Sequence, residues 1–441
     1  MATHRRRQLW LTIAGVFVAL GVAGAITLAV INPSITRYVE GPGFRAELEK
    51  QTAKGLHFSS SKFGPIRRTG FLSAATDTFE AEEGRKAMTS LHAHGITARF
   101  NPLGVFLRRW QLDELHIDGG EVGIQVYEPK PEPTPAKPWY HVFLPDRVYL
   151  KRVWSEPADV TWKLRGGKSG IFGTRLLITP HGRDFEYQGT GGTMKNAGIP
   201  DLPLRHAHML ITKTLFELYQ LELTSGDGII QGEGTAETRG EKRIDFKVKW
   251  DKLPLREWLP KSWEGDFAGT AAGDLRWTGN DFKLETATMR GALRVSGARM
   301  SGLGFLKQLA AVTKRKDFER LELNECAADL VWDKGKGGLK NIVIEDEGKF
   351  RIKGTVSVSE QSLGGTIQLG LGREYLAWMP NPEEVFPRAE GGYLWATVHL
   401  SGTLAEPQQD LSPRLVEAMK ESPTAFFGAA FRALGAWLRG K

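Results

Sequence analysis

Residues 350–358 read Phe-Arg-Ile-Lys-Gly-Thr-Val-Ser-Val. Phe350, Ile352, Gly354, Val356 and Val358 alternate with Arg351, Lys353, Thr355 and Ser357. A period of two is the repeat of an extended strand, whose successive side chains point to opposite faces. One apolar face and one polar face mark an antiparallel strand with a dry side and a wet side. The same alternation sets Phe246, Val248 and Trp250 against Asp245, Lys247 and Lys249, and Leu394, Ala396, Val398 and Leu400 against Thr397, His399 and Ser401. Turn signals such as Trp277-Thr278-Gly279-Asn280-Asp281-Phe282 separate many runs of this kind. The pattern predicts a mainly β chain built on antiparallel strands. It puts Phe246, Val248, Trp250, Phe350, Ile352 and Val356 on one apolar side.

Glycine supplies 51 of 441 residues, about 12% against an ordinary ~7%. No Gly-X-Y period is present, so collagen is excluded. Gly-Thr recurs in or beside the strands at Gly173, Gly189, Gly192, Gly234, Gly269, Gly354, Gly365 and Gly402. Glycine inside a strand marks a bend, a bulge or a close approach. Repeated along many strands, it predicts one long, strongly twisted and curved antiparallel sheet, a trough or groove. A β-sandwich with ordinary bulges is the alternative.

Three helical stretches and one proline-rich one depart from the period of two. Phe44 to Gly55 carries apolar residues at helical spacing, and so does Leu303 to Lys316, whose face is Leu303, Leu306, Leu309, Ala310 and Thr313. The second predicts a helix lying across the sheet. At the C-terminus Phe427, Phe431, Leu434 and Leu438, joined by Phe426 and Trp437, line one side of a helix that also carries Arg432, Arg439 and Lys441. Aromatic residues opposite basic ones predict an interfacial helix; a helix plugging the open end of the sheet is the alternative. Between Glu128 and Pro138 the sequence EPKPEPTPAKP lacks the donors a ladder needs and reads as a linker.

From Leu9 to Ile31 no charged residue interrupts an apolar run containing Leu9, Trp10, Phe17, Leu20, Leu28 and Ile31. About 20 such residues span a bilayer as a helix. Arg5, Arg6 and Arg7 precede it, which predicts a cytoplasmic N-terminus and a body outside the cytoplasm. Ala23-Gly24-Ala25 resembles a signal-peptidase site, but the apolar run exceeds the ~7–15 residues of a signal peptide, so an uncleaved anchor is expected.

The chemistry-bearing residue types form no catalytic pattern. The phosphate-cradling loop, the Gly-x-Ser-x-Gly elbow and the His-Glu-x-x-His zinc helix do not occur. His92/His94 and His206/His208 each share a strand face, but spacing supplies no further ligands. Asp113, Glu114 and Asp118 read as the polar side of a strand pair rather than as an acid–base pair. Cys326 is the single cysteine, excluding an internal disulfide and multi-cysteine zinc sites. The formal charge of +8 is in part Arg5–Arg7 and otherwise scattered among acids, as on a solvated surface, so nucleic acid is not expected as a partner. No enzyme activity, cofactor or metal is expected.

The chain resembles the AsmA-like family of bacterial envelope proteins, which includes bridge-like lipid-transfer proteins. The likeness lies in the anchor leading to residues 98–122 (ARFNPLGVFLRRWQLDELHIDGGEV). It lies also in the module from Leu303 to Leu411, with Phe318-Glu-Arg-Leu-Glu-Leu, residues 344–358 and the closing Leu400-Ser-Gly-Thr-Leu-Ala-Glu-Pro, and in the Gly-Thr strands between. These segments cover roughly two fifths of the chain. The resemblance implies a sheet curled into a trough that shelters acyl chains. It implies an inner-membrane, single-pass protein with a periplasmic body, acting in outer-membrane biogenesis and lipid transport. Its expected partners are phospholipid or another envelope lipid, the inner membrane, and an outer-membrane or envelope protein. The expected organisation is a basic tip and anchor (1–40), an N-terminal AsmA-like segment (41–127), the Pro-rich linker (128–138), a β-rich middle (139–300), the C-terminal AsmA-like module (301–411) and a helical tail (412–441). A periplasmic scaffold that binds protein partners and moves no lipid is the alternative function.

Overall fold

Helix α1 (Pro42–Leu56) starts where Pro42 presets the backbone of the first turn and stops at His57, whose left-handed φ of 63° ends the hydrogen-bond ladder. It matches the helix expected over 44–55. The computed structural model describes residues 32–411, apart from 86–87, 102, 107–109, 126–147, 165–166, 182–183, 213, 260–266, 281–282, 302–315, 360–361, 378, 380 and 404–406. The anchor Leu9–Ile31, Arg5–Arg7, the linker 128–138, residues 303–315 and the tail helix with Phe427, Phe431, Leu434, Trp437 and Leu438 lie outside the described residues. Residues 32–39 are helical, and among the described residues no helix is long and apolar enough to cross a membrane. The chain forms two units, Met1–Leu164 with Phe172–Pro180, and Arg165–Ile171 with His181–Lys441.

In unit one, β1 (Phe58–Phe63) and β2 (Ile66–Gly70) both pair with β3 (Ser73–Gly84). The ladder continues antiparallel through β4 (Met88–Phe100) to β5 (Trp110–Ile124), past the short helix α2 (Leu103–Phe106). Phe58, Phe79, Ala81, Ala93 and Ile96 bury one side of it. At one end Phe44 of α1 packs on Ile66 and Ala74. The expectation of a wholly antiparallel sheet is corrected here: β6 (Val148–Leu150) and β7 (Val153–Leu164) run parallel to β5. A parallel pair needs a crossover of a dozen or more residues. The Pro-rich stretch sits between Ile124 and Val148, where that crossover falls.

Beyond β8 (Gly167–His181), unit two is an antiparallel meander. Its main strands are β9 (Asp184–Thr190), β11 (Leu202–Ile211), β12 (Leu215–Ser225), β13 (Gly228–Glu237), β14 (Arg243–Pro254), β15 (Phe267–Asn280) and β16 (Thr288–Ser301). They continue as β18 (Glu325–Asp333), β19 (Lys336–Asp346), β20 (Phe350–Ser359), β21 (Ser362–Gly372) and β23 (Tyr393–Gly402). Each pairs with the next in this order. β10 (Thr193–Lys195), β17 (Arg320–Leu323), β22 (Arg388–Glu390) and β24 (Pro407–Gln409) are short side pieces. The three alternating runs read from the sequence are the cores of β14, β20 and β23. Helical turns missing from the sequence expectation follow β14 (α3, Leu255–Trp258), precede β17 (Lys316–Glu319), follow β21 (Arg373–Leu376) and precede β22 (α4, Pro382–Val385).

Candidate functional site

Directly opposed residues of an antiparallel ladder share a face, so the register of unit two can be followed across the strands. One row runs Tyr187, Met209, Leu218, Gly234, Phe246, Trp277, Met289, Trp332, Gly337, Val358, Leu363. The neighbouring row runs Gly189, Ala207, Leu221, Gly232, Val248, Leu275, Gly291, Leu330, Leu339, Val356, Gly365, Leu400. Neither row contains a charged residue. At ~4.8 Å per strand step, a row of this kind extends on the order of 50 Å. Phe246, Val248, Trp250, Phe350, Ile352 and Val356 all belong to this face.

Depth of burial changes along the face. Around β20, Phe350 and Val356 are buried together with Leu363, Leu371, Leu394 and Val398, and Ile352 packs partly buried against them. Phe318, Leu376 and Val385 from the helical turns, Phe386 just after α4 and Leu411 two residues past β24 complete that cluster. A second cluster collects Leu202, Leu204, Leu223, Ile230 and Leu253, with Val248, Trp250 and Trp258 of α3 against it. Ser225 Oγ accepts a hydrogen bond from Trp258 Nε1 at 3.1 Å and donates one to Glu257 at 2.8 Å, fixing α3 there. Phe246, Leu275, Trp277, Met289, Leu330 and Trp332 belong to neither cluster; Leu330 is exposed and the others are partly buried. Val356 is 6% exposed and Leu330, on the same row, 37%. At the far end of the face, burial pushes the Tyr187 phenol up to about 12, so it stays neutral.

The glycines act through this face. Gly234, one of the Gly-Thr glycines, lies opposite Phe246, and a Cβ there would meet Phe246 Cδ1 at 2.4 Å. Gly337 lies opposite Trp332, and its Cβ would fall 2.2 Å from Trp332 Cε3. The ring lies where a side chain would stand, an arrangement in which an aromatic shields a glycine across the ladder. The sequence expectation of close approach holds at Gly234; Gly337, outside any Gly-Thr pair, was missed, and its signal is the adjacent hairpin Trp332-Asp333-Lys334-Gly335.

The opposite face carries the charge. Lys247 Nζ lies 3.1 Å from Glu233, Arg276 2.7 Å from Asp245 and Arg205 3.2 Å from Glu222. Such exposed pairs add little stability; their effect is to keep this side in water. Asp346 is the exception, a buried carboxylate at the margin of the apolar face, with Lys349 Nζ at 3.0 Å and the Glu322 N–H donating at 3.1 Å. With Arg320, Asn324 and Glu347 these residues line a polar cleft of about 460 Å³. Its opposite charges already face one another.

The other sequence candidates are dispersed. His208 Nε2 lies 2.7 Å from Glu186 Oε1, and the His206 and His208 rings are 6.3 Å apart. His92 contacts Glu82. Among the described residues no three His, Cys, Asp or Glu side chains stand as a metal-holding group. Asp113 takes hydrogen bonds from Asn101 (2.7 Å) and Gln111 (3.3 Å), and Lys151 lies 2.8 Å away. The Lys151 hydrogen bond is the main reason that its carboxyl is held below the ordinary value, and Asn101 adds to it. Glu114 is its chain neighbour and points to the other face. Asp118 is 3.5 Å from His116. Burial pushes the Cys326 thiol up to about 11, far from an activated thiolate. No family model, curated protein or solved structure matches this chain.

Proposed function

We propose that this chain is a non-catalytic, membrane-anchored envelope protein that shelters lipid acyl chains on the apolar face of unit two. The observation that carries the proposal is the pair of charge-free rows crossing the meander, partly exposed around β14 to β18. A face of this composition left partly in water is costly unless something apolar covers it, since each Å² of apolar surface removed from water stabilises by about 25 cal/mol. One leaflet of a bilayer core is about 15 Å deep, so rows on the order of 50 Å have room for several acyl chains. Phe246, Val248 and Trp250, with Trp277, Leu330 and Trp332, are the lipid-facing wall. Around Phe350, Ile352 and Val356 the face is roofed by protein side chains, which favours a purely structural role for that end.

The apolar run Leu9–Ile31 with Arg5–Arg7 supports an inner-membrane anchor with the body in the periplasm. The resemblance to AsmA-like proteins supports phospholipid or another envelope lipid as cargo, and an outer-membrane or envelope protein as further partner. The test is photocrosslinking in cells with the full chain, with a photoreactive phenylalanine at Phe246 or Leu330 and a control at Lys247 on the charged face. Lipid adducts at 246 and 330 and none at 247 are expected. Adducts to protein alone would leave the chain a periplasmic scaffold.

A further inference from the structure

Unit one leaves large apolar side chains in water at one end. Tyr38, in the helical residues 32–39, and Leu103, opening α2, are each 62% exposed, and Phe71 in the β2–β3 turn is 56% exposed, with Leu72 beside it. Hydrogen bonds hold the segments that carry them together. Leu72 O accepts from the Phe100 N–H at 2.8 Å, and Asn101 Oδ1 accepts from the Leu103 N–H at 3.0 Å. The Arg68 guanidinium donates to Phe71 O at 3.0 Å, to Asn32 O at 3.1 Å and to Thr36 Oγ1 at 2.9 Å, bonds the Asn32 side chain, and stands over the Phe71 ring. Glu40 accepts the Arg68 N–H at 3.0 Å. Beneath them Phe44, Ile66 and Ala74 are buried, with Val39 and Phe100 packed against them. The exposed side chains therefore stand on a fixed base.

We propose that this end of unit one rests on the lipid bilayer, with Phe71, Leu72, Leu103 and Tyr38 in the headgroup zone. The inference rests on Leu9–Ile31 being a membrane span and adds the surface that lies against the membrane. Two observations identify the partner as a bilayer. Arg68 ties Asn32 and Thr36 to the Phe71 turn, and Asn32 is the first residue after the apolar run, so the patch is fixed beside the point where the chain leaves the membrane. Its composition is that of a membrane–water interface, aromatic and apolar tips accompanied by the exposed arginines Arg37 and Arg99, whose stems reach along apolar surface while the charge stays at the headgroups. Arg99 opposes Ser73 across the ladder, directly beside the turn.

The experiment uses the full chain with Cys326→Ala, reconstituted into vesicles of phosphatidylcholine and phosphatidylglycerol. Single cysteines at Phe71, at Leu103 and, as control, at Lys247 on the charged face of unit two carry an environment-sensitive fluorophore. Expected are a blue-shifted emission and quenching by shallow spin-labelled lipid at 71 and 103, with aqueous quenching only at 247. Thermal melts matching the parent show that the labelled positions leave the fold intact. A chain that floats with the vesicles while 71 and 103 are quenched only from water overturns the patch and leaves the anchor. A chain that does not float overturns both.

Discussion

An aspartate placed at Val356 and, separately, one at Leu330 should have opposite consequences, although both residues lie on one cross-strand row. Val356 is 6% exposed and packs in the cluster with Ile342, Leu363 and Leu400. An ionised carboxylate there is buried without a partner, costing about 3–5 kcal/mol, and the lost valine burial adds about 1.5 kcal/mol or more. Against a whole-domain stability of about 5–15 kcal/mol, Val356→Asp should melt the C-terminal end of unit two or abolish folding. Leu330 is 37% exposed, between Gly291 and Leu339 on the ladder. An aspartate at that site stays hydrated. The loss is then the buried part of one leucine, about 1–2 kcal/mol. Denaturant unfolding gives both stabilities, and lipid extracted with the protein by mild detergent gives the function. The expected outcome is a folded Leu330→Asp that has lost its lipid, beside a strongly destabilised Val356→Asp. Equal destabilisation by the two would show that the partly exposed stretch is roofed in solution and would refute the lipid wall. Full lipid retention in a folded Leu330→Asp would refute it as well.

Gly337→Ala should cost about 1–3 kcal/mol as Trp332 is pushed off its neighbour, and adding Trp332→Leu should recover part of that loss in denaturant melts. Asp113, with its folded pKa depressed below 3.8 by Lys151 and Asn101, contributes stability that is present above that value and lost as pH falls through the depressed one. Asp113→Asn should therefore lower stability at pH 7 by no more than about 1 kcal/mol, the pair being half exposed, and the difference should vanish as pH falls through the depressed value. Cys326 should react with a thiol reagent at pH 8 on the order of 100-fold more slowly in the folded chain than in denaturant, because burial holds the thiol protonated near 11.

Sidedness was legible in the sequence because it is local. Alternate residues share a face wherever the chain is extended, so Phe246, Trp250 and Phe350 could be assigned to one side from β14 and β20 alone. Depth was not legible. Whether Val356 is roofed depends on Phe318, Tyr375, Val385 and Leu411, which come from other parts of the chain and carry no mark of that role. The parallel pairing of β7 on β5 was hidden for a similar reason. It joins residues about forty positions apart across a proline-rich stretch that, read locally, resembles a linker. The glycine excess announced close approach but not its cause, since a glycine's aromatic partner is set by register, as Gly234 and Phe246 show. The Phe71–Arg68 corner was likewise invisible, because the bonds of Arg68 to Asn32 and Thr36 and of the Phe100 N–H to Leu72 O join segments far apart in the chain.

The pairing order of unit two also bears on how its length could change. From β9 to β23 each principal strand finds its partner in the next principal strand, so each stretch of ladder depends chiefly on its two flanks. Structures joined only by nearest neighbours behave as one-dimensional arrays, in which stability accumulates unit by unit and growth can begin at many points. Removing or duplicating one hairpin brings together strands of the same direction as before. The apolar residues then still fall on one side, because the flip of direction across a hairpin is undone by its second strand. Inserting or deleting a single strand would reverse everything that follows. The natural increment of length for this wall is therefore a hairpin, and chains of different reach could arise from one pattern by counting in pairs.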